Sequence, residues 1–440
     1  MENSDAILAR FLALHPKLID LSLGRLQRLL GALGDPHRRL PPVIHVAGTN
    51  GKGSTVAFMR SVLEAAGLAV HVYTSPHLVR FHERIRIGAP GGGRLVDEDA
   101  LVDAFRRCEE ANASAPITVF EITTAAALLL FSEKPAHVLL LEVGLGGEFD
   151  ATNVIEKPMA TVVTPIGMDH SEYLGDTLSL VAKAKAGIFK RGAPAVIALQ
   201  DHQEALDTLV RLAARAGAPA MVGGEHFHVH EENGRLVYQD EEGLLDLPLP
   251  RLPGRHQHVN AGTAIAALRA SGFGRLAASA FEKGIASADW PARLQRLSRG
   301  RLQGLLRDGT ELWLDGGHNP DGGRVVAAAM ADFEDRNPRP LILVVGMLGT
   351  KDSAGFLAPF AGLAQHVFTI PMPSQTAARS AAEVAAFATA AGLQATPCAS
   401  LEAALSAIAA NDWGAPPRVL ICGSLYLAGE VLAANGTPPS

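Results

Sequence analysis

The chain has 440 residues, 48% of them hydrophobic and 19% charged, which is typical of a globular protein with roughly two to three domains. Its net charge of -6, without a basic tail, argues against a nucleic-acid partner. There is no apolar secretory segment, the apolar run at 125–131 is too short to span a membrane, and three cysteines are scattered without metal spacing. We therefore expect a cytoplasmic protein, with no membrane partner and monomeric.

Short apolar runs alternate with amphipathic stretches, a pattern that predicts an α/β fold with a mainly parallel sheet. The apolar runs predict strands at 43–47, 69–73, 137–143, 160–164 and 195–198. Helices are predicted at 54–66, 97–111, 123–131, 178–189 and 203–216. Residues 224–248 alternate and are rich in glycine and acidic residues, which predicts an antiparallel excursion, followed by a helix at 259–270.

The pattern starts again near residues 287–297. Strands are predicted at 312–315, 341–345, 366–370 and 419–422, each followed by a helix. This pattern indicates a second, smaller, Rossmann-like α/β domain. We place the two domains at 1–288 and 289–440.

A phosphate loop follows the first predicted strand. The sequence GTNGKGST (48–55) connects that strand to a helix, so backbone N–H groups and the helix dipole would face an anion. The strict Walker pattern is not met, because Val46 replaces its first glycine and Gly53 follows the lysine. A glycine-rich turn with a solvated lysine is the alternative. The candidate nucleotide-binding residues are Asn50, Gly51, Lys52, Gly53, Ser54 and Thr55.

Three further polar residues follow neighbouring predicted strands. Ser75, Glu142 and His170 would surround the phosphate loop, since ligands bind at the carboxyl ends of parallel strands. Oxygen ligands suit Mg²⁺, which an ATP-dependent enzyme needs to neutralise the triphosphate. Taken singly, each has a structural alternative: a helix cap for Ser75, a cap or surface acid for Glu142, and a hydrogen-bonded structural histidine for His170.

Several blocks together resemble the folate-ligase branch of the Mur ligase superfamily. They are GTNGKGST (48–55), YTSPHL (73–78), LEVGLGG (141–147), DATN (150–153), MDH (168–170) and AKAGIF (184–189). The resemblance implies an ATP-binding domain of Mur-ligase central type at 1–288 and a glutamate-ligase domain at 289–440. It implies ligation of L-glutamate to dihydropteroate and to (tetrahydro)folates through an acyl phosphate, with ATP and Mg²⁺, giving ADP and phosphate.

The resemblance also assigns the metal site. It implies that Ser75, Glu142 and His170 hold magnesium, with two ions expected, and that Lys185 is carbamylated and acts as a further metal ligand. From the residues alone, Lys185 would be an exposed lysine on a helix. Glu148 stands where the family usually has arginine, which removes a positive charge near the expected acyl phosphate.

Other matches lie around the nucleotide and glutamate. The resemblance implies that Asn260 binds adenine, that Arg293 in the hinge reaches the phosphates, and that Asp315 in DGGHNP (315–320) contacts the nucleotide. It places His318 and Ser424 at the glutamate site. Lys52, His170, Lys185 and His318 are thus the candidate catalytic residues. Ala292 and Gly317 depart from the family's usual glycine and alanine.

Two segments match the pterin site of bacterial dihydrofolate synthases. Their residues are Ile19, Asp20, Leu21 and Ser22, and Thr118, Val119, Phe120 and Glu121; Asp150 and Ala151 join the substrate set. An aromatic ring can stack on a pterin, and a carboxylate can accept from its N–H groups. From the residues alone, Phe120 would be a core residue. Two rivals stay open: a cell-wall Mur ligase and a P-loop switch or motor ATPase.

Overall fold

The computed structural model describes residues 3–15, 17 and 19–439, and its strands form three sheets. The first eight strands are β1 Val43–Ala47, β2 Val70–Tyr73, β3 Ile85–Ile87, β4 Arg94–Leu95, β5 Val138–Glu142, β6 Ala160–Val163, β7 Ala195–Ile197 and β8 Ala220–Val222. The others are β9 Phe227–Glu232, β10 Arg235–Asp240, β11 Gly243–Pro248, β12 Gln295–Arg296, β13 Glu311–Leu314, β14 Leu341–Val345, β15 Ala364–Thr369, β16 Ala395–Pro397 and β17 Arg418–Cys422.

Helices cover the faces of these sheets. In the first part of the chain they are α1 Ser4–Leu12, α2 Gly24–Ala32, α3 Lys52–Ala65, α4 Glu98–Asn112, α5 Val119–Glu133, α6 Ser171–Leu174, α7 Leu178–Ala186, α8 Gln203–Ala216, α9 Arg255–Leu268 and α10 Ala278–Ser287. In the second part they are α11 Pro320–Arg336, α12 Ser353–Leu357, α13 Ala381–Ala390, α14 Leu401–Ala410 and α15 Leu425–Asn435. None of the helices in the described part of the chain is long and apolar enough to cross a membrane.

The largest sheet has the strand order β4-β3-β2-β5-β1-β6-β7-β8. All neighbours from β2 to β8 are parallel, while β3 and β4 add an antiparallel edge. Strands β1 and β5 are buried at every residue, because helices cover both faces, and this explains their unbroken apolar sequences. The expected α/β fold with a mainly parallel sheet is confirmed.

The other two sheets also agree with the sequence pattern. Strands β9, β10 and β11 form the expected antiparallel excursion. The third sheet has the order β12-β13-β17-β14-β15-β16, parallel except at β12, and forms the smaller α/β unit. Its short strands β12 and β16 were not predicted, since two or three residues give no periodic signal.

Several predicted helix boundaries were wrong. Helix α5 begins four residues before the predicted start, because Thr118 and Glu121 cap each other's backbone N–H groups there. Helix α9 begins at Arg255 rather than at 259. Its N-cap is Gly254, which has a positive φ of 101° and therefore does not continue the helix backwards. Helix α7 ends at Ala186, three residues before the predicted end.

Candidate active site

Four adjacent strands of the large sheet place the predicted residues along one edge. In the order β2-β5-β1-β6, the strands are followed by Ser75, by the glycine-rich loop after Glu142, by the phosphate loop, and by the segment to His170. In the smaller sheet, β13, β17 and β14 are likewise neighbours and lead to His318, Ser424 and other polar residues. The two edges meet across one cleft, as the contacts below show.

The phosphate loop requires glycine at two positions. Gly48 and Gly51 have φ values of 146° and 88°, and a Cβ atom on either would lie 1.8 Å from Thr164 Oγ1 or 2.3 Å from Asn260 Oδ1. Asn260, the predicted adenine ligand, is buried, packs on Gly51, and donates a hydrogen bond to Gln257 Oε1 over 3.0 Å. Glycine is therefore required at both positions by the close packing of the loop on Thr164 and Asn260.

Polar groups inside the loop suit a triphosphate. The Lys52 ammonium donates hydrogen bonds to the carbonyl oxygens of Gly48 (3.0 Å) and Thr49 (3.2 Å). Burial lowers the pKa of Lys52, while Glu142 and Asp169 act in the opposite direction. The buried hydroxyls of Ser54 and Thr55 have no hydrogen-bond partner among the described residues. Such orphaned buried hydroxyls are costly unless a ligand satisfies them, so they fit a bound nucleotide with its metal ion.

The glycine after the loop lysine has a packing explanation. A Cβ atom on Gly53 would lie 2.7 Å from Nε1 of Trp290, in the hinge between the two domains. A serine or threonine at this place, as in the strict Walker pattern, would collide with the indole. The departure from that pattern therefore reflects how the hinge packs on the loop.

Glu142 is a buried carboxylate beside the phosphate loop. Burial raises its pKa to about 7, opposed by the charges of Lys52 and Arg293 and by a hydrogen bond from the Ser75 backbone. A divalent cation would offset this desolvation, so the residue fits a metal ligand. Within the described ranges, no cluster of three or more histidine, cysteine, aspartate or glutamate side chains could hold a metal. The predicted metal set therefore depends on the Ser75 hydroxyl and on a modified Lys185.

Lys185 is buried, and the interpretation from the residues alone, an exposed helical lysine, was wrong. Only 5% of it is accessible, and its ammonium donates a hydrogen bond to Gly48 O over 2.8 Å. Burial lowers its pKa to about 7, helped by the Lys52 charge and opposed by Asp169 and Asp150. Val181, Ala182 and Lys185 share the buried face of α7, and this lysine in an apolar stripe was the available sequence signal.

A carboxylate that sequence reasoning missed, Asp169, joins the two domains. Its oxygens accept from Lys351 Nζ (2.5 Å), His318 Nε2 (3.2 Å) and Asn319 Nδ2 (3.2 Å), all from the smaller domain. Burial would raise its pKa, but the His318 hydrogen bond and the charges of His318, Lys351 and His170 hold it well below the usual range.

His170 lies in the same cluster. Burial lowers its pKa to about 4, although Asp169 opposes the shift, and its Nε2 lies 3.3 Å from Lys351 Nζ. It adopts a left-handed φ of 52°, which is uncommon for a residue other than glycine, although histidine adopts it more readily than most. A neutral imidazole is available there as an acceptor or as a ligand.

Asn50 and Asn319 connect the phosphate loop to the smaller domain. Each side-chain amide donates to the other's oxygen, and both distances are 3.1 Å. Asn50 belongs to the phosphate loop, and Asn319 caps α11 in the smaller domain. The DGGHNP segment is therefore in direct contact with the phosphate loop.

The hinge is held by the predicted nucleotide residue Asp315. Its buried carboxylate accepts from the backbone N–H groups of Leu294 (2.8 Å) and Gly317 (2.7 Å). Burial raises its pKa, with the charge of Arg293 opposing. Ala292 and Leu294 have left-handed φ values of 55° and 43°, so a glycine at 292 would avoid backbone strain that this chain retains.

The two segments expected at the pterin are brought together by Arg25, a residue that the sequence did not single out. Its guanidinium donates to Asp20 Oδ2 (2.9 Å) and to Glu121 Oε2 (3.0 Å). Residues 19–22 are half-buried, and the Phe120 ring packs on Gly144, directly after the Glu142 strand. The second oxygen of Glu121 is buried without a partner among the described residues.

The other predicted substrate residues are engaged within the fold. Asp150 accepts from Leu145 N (2.8 Å) and from the Thr152 hydroxyl (2.6 Å), so it orders the glycine-rich loop. Ala151 is buried in the hydrophobic cluster against which Val119 and Phe120 pack. Ser424 is buried and caps α15, accepting from Tyr426 N over 3.1 Å.

Known proteins resemble the chain along almost its whole length. The models of the Mur ligase middle domain and of the Mur ligase, glutamate ligase domain match residues 46–268 and 300–425. The dihydrofolate synthase/folylpolyglutamate synthase of Escherichia coli (strain K12) is 34% identical over 95% of this chain and 92% of its own. The structure of E. coli FolC in complex with DHPP and ADP has a TM-score of 0.86 at 33% identity, covering 98% of this chain and 97% of that one. A bifunctional folylpolyglutamate synthase/dihydrofolate synthase with Mn, AMPPNP and L-glutamate bound has a TM-score of 0.83 at 32% identity, covering 97% of each chain.

Proposed function

This chain belongs to the dihydrofolate synthase/folylpolyglutamate synthase family of Mur ligases, and from that premise we propose that it ligates L-glutamate to dihydropteroate and to (tetrahydro)folates. It is an ATP-dependent acid–amino-acid ligase, and its products are dihydrofolate and folylpolyglutamates with ADP and phosphate. The observation that carries the proposal is the pairing of Asn50 with Asn319, which brings the phosphate loop and the glutamate-ligase domain together.

The reaction has two steps. A carboxylate oxygen of the acceptor attacks the γ-phosphorus of ATP, which gives an acyl phosphate and releases ADP. The glutamate amine then attacks the acyl carbon, and an amide and phosphate result as one proton is lost. The phosphate loop and Lys52 would hold and orient the transferred group, and closure of the two domains would exclude water that could hydrolyse the intermediate.

A divalent metal belongs to this chemistry, since related structures contain Mn with AMPPNP. We assign Ser75, Glu142, His170 and carbamylated Lys185 as its ligands and expect two Mg²⁺ ions. When bound, the metal would neutralise charge on the transferred phosphoryl group. Carbamylation is supported by the burial of Lys185 and by a pKa of about 7, because a neutral amine adds CO₂ to form a carbamate.

The remaining assignments follow the cleft. Asn260, Arg293 and Asp315 would bind the nucleotide, and His318 and Ser424 would bind glutamate. The acceptor would lie along 19–22 and 118–121, where Phe120 is supported by its place on Gly144 beside the Glu142 strand. We divide the chain into domains at 1–288 and 289–440, and we keep the expectation of a monomer.

Phosphate release measured against a panel of acceptors, each with and without L-glutamate, tests the proposal. We expect release with dihydropteroate and with reduced folates only when glutamate is present, and none with Lys52→Ala. Use of a nucleotide-linked peptide instead would favour a cell-wall Mur ligase. Release that is independent of any amino acid would favour a P-loop switch or motor ATPase.

A further inference from the structure

Asp169 lies where the carboxyl edges of the two parallel sheets face each other. It follows β6, whereas His318 and Asn319 follow β13, and Lys351 follows β14. Its side chain is 10% exposed and that of Lys351 is 9%, so their ion pair is nearly shielded from solvent. An ion pair in such a place is much stronger and more directional than one at the surface.

The carboxylate of Asp169 is fully occupied. Oδ1 accepts from Lys351 Nζ and, over 2.8 Å, from the backbone N–H of His170, while Oδ2 accepts from His318 and Asn319. Four donors use the lone pairs that a carboxylate offers, which leaves none for a metal ion or a substrate proton. Asp169 therefore acts by fixing the positions of the residues that donate to it.

Asp169 fixes the orientation of the His318 ring. Nδ1 of His318 donates to the carbonyl oxygen of Gly316 over 2.8 Å, and Nε2 faces Asp169 Oδ2. Both ring nitrogens thus face oxygen acceptors, which holds the ring in one orientation. The His318 ring therefore lies beside the Lys351 ammonium, and these two groups offer N–H donors to a ligand that carries carboxylates.

We infer that Asp169 is a positioning residue for the amino-acid half of the reaction, holding Lys351 and His318 against the edge of the phosphate loop. This inference rests on the proposed function, because that function supplies the glutamate that Lys351 and His318 would bind. The phosphoryl-transfer half depends on the phosphate loop and the predicted metal ligands. Asp169 is hydrogen-bonded to one of these, His170, through its backbone N–H, and the amide oxygen of an asparagine can still accept that bond. Loss of Asp169 should therefore affect the use of glutamate and spare formation of the acyl phosphate.

The test replaces glutamate with hydroxylamine, a small nucleophile without a carboxylate. Hydroxylamine attacks the acyl carbon of the acyl phosphate, so a hydroxamate forms and phosphate leaves, and the hydroxamate can be measured directly. We expect Asp169→Asn to raise the KM for glutamate about 10- to 100-fold, the loss of one charge-assisted contact, with the KM for ATP and the rate of hydroxamate formation within about threefold of wild type.

Two further variants locate the effect. Asp201→Asn is the matched control, because Asp201 also pairs across the domain interface, with Arg324, but is exposed; it should behave like wild type. In a Lys351→Met background, Asp169→Asn should raise the KM for glutamate by a smaller factor than it does in wild type, since the contact with Lys351 is already lost and only the contact with His318 remains to be removed. Thermal melting of every variant checks that the fold is retained.

Three outcomes would overturn the inference: an unchanged KM for glutamate in Asp169→Asn, a parallel loss of hydroxamate formation, or independent effects of the Asp169 and Lys351 changes. Failure of the proposed function would look different. In that case the wild-type chain itself would form neither amide nor hydroxamate from dihydropteroate.

Discussion

The Lys185 ammonium donates a hydrogen bond to the carbonyl oxygen of Gly48, 2.8 Å away, and so ties α7 to the first residue of the phosphate loop. A carbamate at this position would replace the cation by an anion, and the residue would then bind metal. We predict that Lys185→Ala loses most ligase activity, at least about 100-fold. Added acetate should restore part of it, Lys185→Glu should retain some activity, and Lys185→Arg should retain none, because arginine keeps the positive charge.

Intact-protein and peptide mass spectrometry in bicarbonate provides a second measurement for Lys185, with rapid trapping of the carbamate. The exposed Lys183, two residues earlier on α7, is the matched control, and Lys183→Arg should leave the rate unchanged. Wild-type turnover in Lys185→Arg would rule out a carbamate.

Packing of Trp290 on Gly53 predicts a specific defect in the phosphate loop. Gly53→Ala should lower the free energy of unfolding by about 1–3 kcal/mol, since its methyl group would overlap the indole. It should also weaken ATP binding, measured by calorimetry. Adding Trp290→Ala should relieve the overlap in the double variant. Gly31→Ala in α2 has no atom within 4 Å of the new Cβ and serves as the control; an equal loss there would refute this packing argument.

The bridge from Arg25 to Asp20 and Glu121 predicts a linked effect on stability and acceptor use. Arg25→Met leaves the buried Glu121 without its cation, so we expect a loss of about 1–3 kcal/mol in urea unfolding and a higher KM for dihydropteroate. Arg235→Met breaks only an exposed pair with Asp246 and should change stability by less than about 0.5 kcal/mol. An unchanged KM for dihydropteroate in Arg25→Met would show that the bridge from Arg25 to Asp20 and Glu121 does not contribute to the acceptor site.

His45 predicts part of the acid sensitivity of the fold. It is fully buried on β1, its Nε2 lies 2.8 Å from the Thr152 hydroxyl, and burial lowers its pKa to about 3, with Lys190 adding to the effect. The unfolded chain therefore binds a proton at His45 below about pH 6.5, whereas the folded chain does so only near pH 3. Above pH 6.5, His45 does not reduce the free energy of unfolding. Between about pH 6.5 and pH 3, the free energy of unfolding falls as the pH drops, because only the unfolded chain binds the proton.

Urea unfolding between pH 7 and 4 measures the His45 contribution. From pH 6 to 4, wild type should lose about 1–3 kcal/mol more than His45→Gln, in which that position has no titrating group. The control is His228→Gln, a change at an exposed position of β9. Equal slopes for wild type and His45→Gln would contradict the assignment.

Most of the sheet architecture could be predicted because strands buried on both faces have continuous apolar sequences. Strands β1 and β14 match their predicted bounds to the residue. Helix α5 was harder, since 11 of its residues are buried and an amphipathic period is therefore missing. Its capping box at Thr118 and Glu121 was the better boundary signal.

The site was only partly predictable, because its key contacts join distant parts of the chain. Asp169 and Lys351 are 182 positions apart, and Trp290 reaches Gly53 from the hinge. No local pattern identifies such partners. The strand ends carrying Ser75, Glu142 and His170 were recognisable, because residues at the carboxyl ends of parallel strands converge whatever their separation in sequence.

The acyl-phosphate intermediate can be tested by following the transfer of an oxygen atom from the acceptor carboxylate to phosphate. Dihydropteroate labelled with ¹⁸O at both carboxylate oxygens should be incubated with the enzyme, ATP, Mg²⁺ and L-glutamate, and the released phosphate analysed by mass spectrometry. We predict one labelled oxygen in phosphate for each amide formed, because the attacking carboxylate oxygen leaves with the phosphoryl group. Amide formation accompanied by unlabelled phosphate would contradict it.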